Sequence, residues 1–167
     1  RLGVDRVELC ASPAEGGVTP SYATIERVAA IEGLDVSVMI RPRGGDFLYS
    51  DDEFETMLLD IERAREAGAT GVVFGVLTSD GKVDKERTRR LVEASEGMET
   101  TFHRAVDMTE DYKQAVEDII EAGCDRILTS GSYDKAIDGI MEIAQAVSVA
   151  RGRIEIMAGS GVSSANA

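Results

Sequence analysis

Short runs rich in β-branched residues recur along the chain, and their starts are separated by roughly 30 residues. Alternation of apolar and polar positions within these runs predicts half-buried strands. The segments between them place apolar residues at i, i+3 and i+4, which predicts amphipathic helices. The predicted strands are RVELC (6–10), VSVMIR (36–41), GVVFGVL (71–77), ETTFHRA (99–105), RILTSG (126–131) and RIEIMAG (153–159).

Strands that alternate with helices, without hairpin turns between them, indicate a parallel sheet and the α/β class. We predict a single domain over residues 1–167, a TIM-like (β/α)8 barrel of which about six βα units are present. An open doubly wound sheet is the alternative. The barrel is favoured because no G-x-G-x-x-G follows the first strand and the strands carry polar residues at alternate positions.

The stretches LGVDRVEL, AGATGVVF and AGCDRILT repeat one order: a helix end, a glycine, one or two linking residues and a strand. The chain opens as if on the last turn of a helix and stops where a further helix would begin. We therefore expect the barrel to be incomplete at both ends, with its first and last strands missing.

The chain is acidic, with a formal net charge of −13, so its field repels phosphate backbones and anionic lipid surfaces. No apolar stretch approaches the roughly 18–20 residues that a bilayer-spanning helix needs. These features predict a cytoplasmic protein that binds neither nucleic acid nor membrane.

In a βα barrel the functional site lies where the strands end, and side chains alternate between the interior and the helix layer. We expect the carboxylates of Glu8 and Glu155 to balance Arg41 and Arg43, since an unpaired buried charge is costly. The residues that this alternation turns inward are Glu8, Cys10, Met39, Arg41, Thr101, His103, Glu155, Met157 and Gly159.

The stretch IRPRGGDF (40–47) combines two arginines with two glycines. Arg41 and Arg43 offer forked donors, and Gly44 and Gly45 allow a ligand to approach main-chain N–H groups. This combination predicts a loop that binds a carboxylate or phosphate. The alternative is that the arginines only neutralise interior carboxylates.

Glycine-rich turns after the last two strands resemble the phosphate-binding loops of many barrels, in which N–H groups converge. MAGSGV contributes Gly159 and Gly161, and TSGS contributes Thr129 and Ser130. We add Arg104, which follows the fourth strand, to this predicted anion site. Simple tight turns are the alternative reading.

His103 is the only histidine in the chain and lies near a strand end. With Glu8 or Asp107 it could move protons in a lyase- or isomerase-type reaction on a small anionic, possibly phosphorylated, substrate. A hydrogen-bonded wall residue is the alternative reading of this histidine.

Cys10 falls at the site end of the first predicted strand, whereas Cys124 precedes its strand and lies at the opposite end. Met39, Met157 and His103 share the inward orientation of Cys10. Thiolate, thioether and imidazole ligands suit Cu(I), so Cys10 is a candidate copper ligand. A buried cysteine among core methionines is the alternative.

The motifs DRVELC, EGGVTPS, IRPRGGDFLYSDDEF, GVLTSDGKVD, TFHRAVDM, RILTSG and IMAGSGV together resemble the CutC family, named for copper homeostasis. The resemblance runs through nearly all of the chain, in the family's order. It implies a TIM-like barrel, a cytoplasmic homo-oligomer and copper binding at Cys10. The family's first strand, which often carries another cysteine near the barrel mouth, is absent here, as is its last strand.

Overall fold

A computed structural model describes residues 3–166 and contains the predicted alternation of strands and helices. Two 3₁₀ turns, Pro13–Glu15 and Arg104–Met108, follow the first and fourth strands. The strands are β1 (Arg6–Leu9), β2 (Asp35–Met39), β3 (Gly71–Phe74), β4 (Glu99–Phe102), β5 (Arg126–Thr129) and β6 (Glu155–Ala158). The helices are α1 (Tyr22–Ala29), α2 (Asp51–Glu66), α3 (Lys85–Ala94), α4 (Tyr112–Ala122) and α5 (Ile140–Ala150).

Local sequence signals set several helix boundaries. Ser50 and Glu53 form a reciprocal capping box at the start of α2, in which each side chain accepts from the other's main-chain N–H. Asp111 caps α4 by accepting from the N–H of Gln114, and Gly123 ends that helix with a left-handed φ of 95°. These caps set the start of α2 and both ends of α4.

The chain divides into two compact units, and the first comprises residues 3–74 and 90–100 of the described chain. It contains β1, β2, β3 and the start of β4, in that order across the sheet. β1 is parallel to β2, with Glu8 opposite Ser37, and β2 is parallel to β3. Buried side chains that include Val38, Ile61 and Val72 form its core.

The second unit comprises residues 75–89 and 101–166 of the described chain. Here the end of β4, β5 and β6 are neighbours in that order, and each adjacent pair is parallel. Buried side chains such as Phe102, Ile119 and Ile127 form its core. Within each unit the strands follow chain order, as in a TIM-like β/α succession and unlike the permuted order of a doubly wound sheet. The predicted fold class is confirmed.

None of the helices within residues 3–166 combines the length and the apolar character needed to cross a bilayer. The longest, α2, has 16 residues and carries charged side chains along its exposed face.

Candidate functional site

Arg41 follows β2 in the first unit and is 5% exposed. It donates to three main-chain carbonyl oxygens: those of Glu15 at 2.9 Å, Gly17 at 3.1 Å and Gly45 at 2.7 Å. The guanidinium also lies 4.8 Å from the ring centre of Phe47. Arg41 therefore joins the loop that follows β1 to the loop that follows β2.

Arg43 is bound within its own loop and to the next helix. Its Nε donates to Glu53 at 2.6 Å, its Nη2 lies 3.1 Å from the Asp46 carboxylate, and Nη2 also donates to the carbonyl of Leu48 at 2.8 Å. The hydrogen bond from Arg43 lowers the pKa of the Glu53 carboxyl below its usual value. Arg43 thus connects the loop that follows β2 to the first turn of α2.

The two glycines that follow these arginines are explained by close packing inside the loop and by a left-handed backbone conformation. A Cβ on Gly44 would lie 3.3 Å from the Cβ of Glu15, and Gly45 has a left-handed φ of 85°. Gly45 also presents its carbonyl to Arg41. Terminal nitrogens of Arg41 therefore donate to the protein's own main chain, and Arg43 binds its own carboxylates and carbonyls, rather than holding an external anion.

Arg41 and Arg43 do not pair with Glu8 and Glu155, the carboxylates expected from the sequence. Arg43 pairs with Glu53 and Asp46, and Arg41 has no carboxylate partner among residues 3–166. Glu155 pairs instead with Arg126, whose Nε donates to it at 2.7 Å. The predicted pairing of Glu8 or Glu155 with the two arginines is wrong, because Arg41 donates to main-chain carbonyls, Arg43 pairs with carboxylates of its own loop and of α2, and Glu155 pairs with Arg126.

Cys10 and Met39 both lie beside Gly17. A Cβ built on Gly17 would be 3.3 Å from the Cys10 sulfur and 3.5 Å from the terminal methyl of Met39. Met39 is buried, Cys10 is half-buried, and the cysteine is a free thiol. Thiol and thioether therefore occur on one side of the first unit, as the alternation along β1 and β2 predicts.

Glu8 precedes Cys10 by two residues and has an exposed side chain. Enough protein surrounds its carboxyl for reduced hydration to raise its pKa above the usual value, and the charge of Arg6 partly opposes this. A raised folded-state pKa means that the fold disfavours the ionised form. Glu8 therefore costs stability at neutral pH, and the cost disappears as the pH falls through the folded pKa.

Glu8→Gln is accordingly expected to raise the midpoint of urea unfolding at pH 7 and to leave it nearly unchanged at pH 4, where the carboxyl of the wild type is protonated. Chemical unfolding followed by circular dichroism at both pH values measures this. Glu96→Gln, at an exposed glutamate on the surface, is the control. A lower midpoint for Glu8→Gln at pH 7 would contradict the assignment.

His103 directly follows β4 in the second unit and is 4% exposed. Its Nδ1 accepts a hydrogen bond from the N–H of Ala105 at 3.2 Å, so the neutral ring carries its proton on Nε2. A Cβ on Gly75 would lie 2.5 Å from that Nδ1. The glycine at the end of β3 thus makes room for the imidazole.

Asp107 is the centre of a hydrogen-bond network, and its side chain is 4% exposed. Its carboxylate accepts from the Thr129 hydroxyl at 2.5 Å, from the Ser130 hydroxyl at 2.9 Å and from the N–H groups of Ser130 and Ser132, each at 3.0 Å. Arg104 donates to it at 3.1 Å. The predicted anion-binding residues Arg104, Thr129 and Ser130 therefore surround a carboxylate of the chain itself.

The remaining predicted anion-site residues are Gly159 and Gly161, which follow β6. The N–H of Gly159 donates to the carbonyl of Thr129 at 2.9 Å, and a Cβ on Gly159 would overlap the Leu128 side chain. Gly161 has a left-handed φ of 69° and lies under the stem of Lys135. This turn belongs to the same unit as the Asp107 network.

Two structural residues escaped the sequence analysis. Arg126 is 5% exposed at the start of β5, and it donates to Thr101 as well as to Glu155. The register, in which Arg126 lies opposite Thr101 and Glu155, would have indicated this contact. Tyr112 shares a 2.8 Å hydrogen bond with Thr129, and burial raises the pKa of the tyrosine. No sequence spacing marks that contact, since 17 residues separate the pair.

Metal-binding groups are sparse. Within residues 3–166, no three His, Cys, Asp or Glu side chains are arranged to hold a metal ion. Cys124 is buried, and burial strongly raises the pKa of its thiol, which makes it a poor ligand. Any metal held at Cys10 would therefore need thioether or main-chain ligands beyond these side chains.

The strand order and the loops at the strand ends define an α/β protein of the TIM-barrel type. An aldolase named QR15 shares this fold, with a TM-score of 0.68 at 20% identity over 84% of this chain and 65% of that chain. The CutC family model matches residues 1–167, and the chain belongs to the CutC family.

Similar proteins of this family come from several bacteria. A CutC protein of Parabacteroides distasonis is 53% identical over 96% of this chain, and one of Glaesserella parasuis is 50% identical over 98%. The chain spans 66–67% of the length of these two relatives. A crystal structure of CutC from Streptococcus agalactiae, named provisionally for copper homeostasis, has a TM-score of 0.90 at 40% identity, covering 96% of this chain and 80% of that chain.

Proposed function

We propose that this protein binds Cu(I) as its cargo in copper homeostasis, with Cys10 as the principal ligand. The observation that carries the proposal is that the Cys10 sulfur and the terminal methyl of Met39 both approach the same point beside Gly17. Soft thiolate and thioether ligands select Cu(I) over harder cations. The half-buried thiol leaves a path for the ion to enter.

Loss of either sulfur is expected to weaken Cu(I) binding by different amounts. Cys10→Ser should reduce affinity by about 100-fold or more, and Met39→Ile by about tenfold, since the thiolate also supplies the charge. Competition titration of the purified chain against a Cu(I) chelator measures both changes.

Two matched substitutions control this experiment. Cys124→Ser replaces the buried thiol, and Met141→Ile replaces a thioether that is exposed on α5. Neither should change the affinity. Equal affinities for Cys10→Ser and the wild type would contradict the proposal, and a loss with Met141→Ile would show that copper binds elsewhere.

A cytoplasmic location and a homo-oligomeric state complete the proposal. Both cysteines are free thiols, which is typical of a reducing compartment. Sedimentation velocity at micromolar concentration tests the assembly, and a monomer throughout the range would contradict it.

A lyase- or isomerase-type activity on a small anionic substrate is a second candidate. The observation that favours it is the His103 ring, whose Nδ1 accepts from the main chain so that Nε2–H is a hydrogen-bond donor at the end of β4. Such a donor can stabilise developing negative charge on a substrate oxygen. His103→Asn should then abolish turnover of a substrate found by screening while copper affinity is retained.

A further inference from the structure

The loop that follows β1 lies against the Cys10 side chain. Gly17 in this loop is buried, and a Cβ built on it would lie 3.2 Å from the Cβ of Cys10 and 3.3 Å from its sulfur. The thiol beside it is free and half-buried. Residues 12–17, which we call the lid loop, therefore cover one side of the proposed copper ligand.

The two ends of the lid loop are attached to the sheet. Ala11 and Val18 exchange two main-chain hydrogen bonds of 2.9 Å, and the N–H of Thr19 donates to the carbonyl of Arg41 at 2.9 Å. The Thr19 hydroxyl accepts from the N–H of Arg41 in return, also at 2.9 Å. Movement of the lid loop therefore requires no separation of β1 from β2.

The lid loop itself is held by one side chain. Within residues 3–166, the hydrogen bonds that join it to other segments both come from Nη1 of Arg41, to the carbonyls of Glu15 and Gly17. Residues 12–16 are exposed. Segments with few buried contacts and exposed main chain open at a lower free energy than the core of a protein. The lid loop can therefore open while the rest of its unit stays folded.

Both ends of the lid loop contain residues with positive φ. The values are 48° at Ser12, 83° at Gly16 and 88° at Gly17. Glycine changes its backbone dihedral angles at little steric cost, and hinges are a few loop residues that absorb such changes. Once Arg41 releases the two carbonyls, rotation at these positions moves the segment between them.

We propose that the lid loop is a movable cover over Cys10, which Arg41 holds closed and whose opening admits and releases the Cu(I) cargo. The inference rests on the proposed function where copper is concerned. Gly17 leaves space for an ion under the closed lid loop, because the position of its missing Cβ is 3.3 Å from the Cys10 sulfur and 3.5 Å from the terminal methyl of Met39.

A disulfide that holds the lid loop closed tests this proposal. The Cβ of Glu15 lies 3.3 Å from the position of a Cβ on Gly44, close to the separation found in disulfides. The double variant Glu15→Cys, Gly44→Cys should therefore lock the lid loop when it is oxidised. Modification of Cys10 by a bulky maleimide, located by tandem mass spectrometry, should slow by about tenfold or more and recover when the lock is reduced.

Removal of the arginine should have the opposite effect. Arg41→Met is expected to speed the modification of Cys10 by about tenfold or more, because opening no longer breaks two charge-assisted hydrogen bonds. Arg43→Met is the matched control, since Arg43 lies in the same loop and none of its hydrogen bonds within the described chain reaches the lid loop. The buried Cys124 should stay unmodified while Cys10 reacts.

Each outcome decides the proposal. An unchanged rate at Cys10 in the locked variant would show that the thiol is reached without movement of the lid loop, and would overturn it. If the lock does not form, Arg41→Met decides: joint modification of Cys10 and Cys124 would assign the arginine to stability alone and reject its role in holding the lid loop.

The part of the proposal that concerns copper has its own readout. Transfer of Cu(I) between the chain and a competing chelator should slow by about tenfold or more in the oxidised lock. Equal transfer rates with the lid loop locked and free would overturn its role in copper exchange. The maleimide rates involve no metal, so failure of the copper proposal itself would leave them unchanged.

Discussion

Asp107→Ala is expected to lower the free energy of unfolding by about 3–5 kcal/mol, because it removes the acceptor of a buried charged network. The substitution leaves the hydroxyl and N–H donors of Ser130, the hydroxyl of Thr129 and the N–H of Ser132 without their common partner. Buried donors without a partner each cost about 1–3 kcal/mol. Urea unfolding followed by circular dichroism measures the change.

The control for this prediction is Asp134→Ala. Asp134 is exposed and contributes its main-chain carbonyl, which alanine retains, to the contact with Ser160. Its loss should change stability by less than about 0.5 kcal/mol. If Asp107→Ala also cost less than about 1 kcal/mol, the network would not hold the loop after β5, and a purely catalytic role for this carboxylate would be favoured.

Arg41→Met is expected to cost about 3 kcal/mol of unfolding free energy and to weaken copper binding as well. The guanidinium joins three carbonyls from two loops, and one of these carbonyls belongs to Gly17, which lies beside both Cys10 and Met39. Arg41→Lys should recover only part of the stability, because a single ammonium cannot reproduce a planar fork.

Unfolding in urea and competition titration with Cu(I) give the two readouts for Arg41. Arg27→Met, at an exposed arginine on α1, is the matched control and should change neither quantity. A stable Arg41→Met variant that has lost binding of a small anion, with copper affinity intact, would show instead that this arginine faces a ligand. That result would restore the anion-binding role predicted from RPRGG.

The sequence predicts the order of strands and helices well, because the spacing of apolar residues and the helix-capping residues are local properties of the chain. The strand and helix order, the start of α2 at Ser50 and the common side of Cys10 and Met39 all follow from alternation and capping. The fold class needed nothing else, since parallel strands separated by helices admit few arrangements.

The partners of the charged side chains could not be predicted in the same way. Arg41 has main-chain carbonyls as its partners, and carbonyls are present at every residue and leave no mark in a sequence. Arg43 pairs with Glu53, ten residues further along the chain. The loop between them has a path that depends on Gly44 and Gly45. Alternation along a strand gives the side on which a residue lies, but it does not give the distance to a partner.

The central claim is that Cys10 and Met39 hold Cu(I) through two sulfur atoms. X-ray absorption at the copper edge of the Cu(I)-loaded chain tests it most directly. The account predicts one tightly held copper ion per chain with two sulfur scatterers in its first shell, one of which is lost in Met39→Ile. A first shell of nitrogen or oxygen atoms, or an unchanged sulfur count in Met39→Ile, would contradict the account.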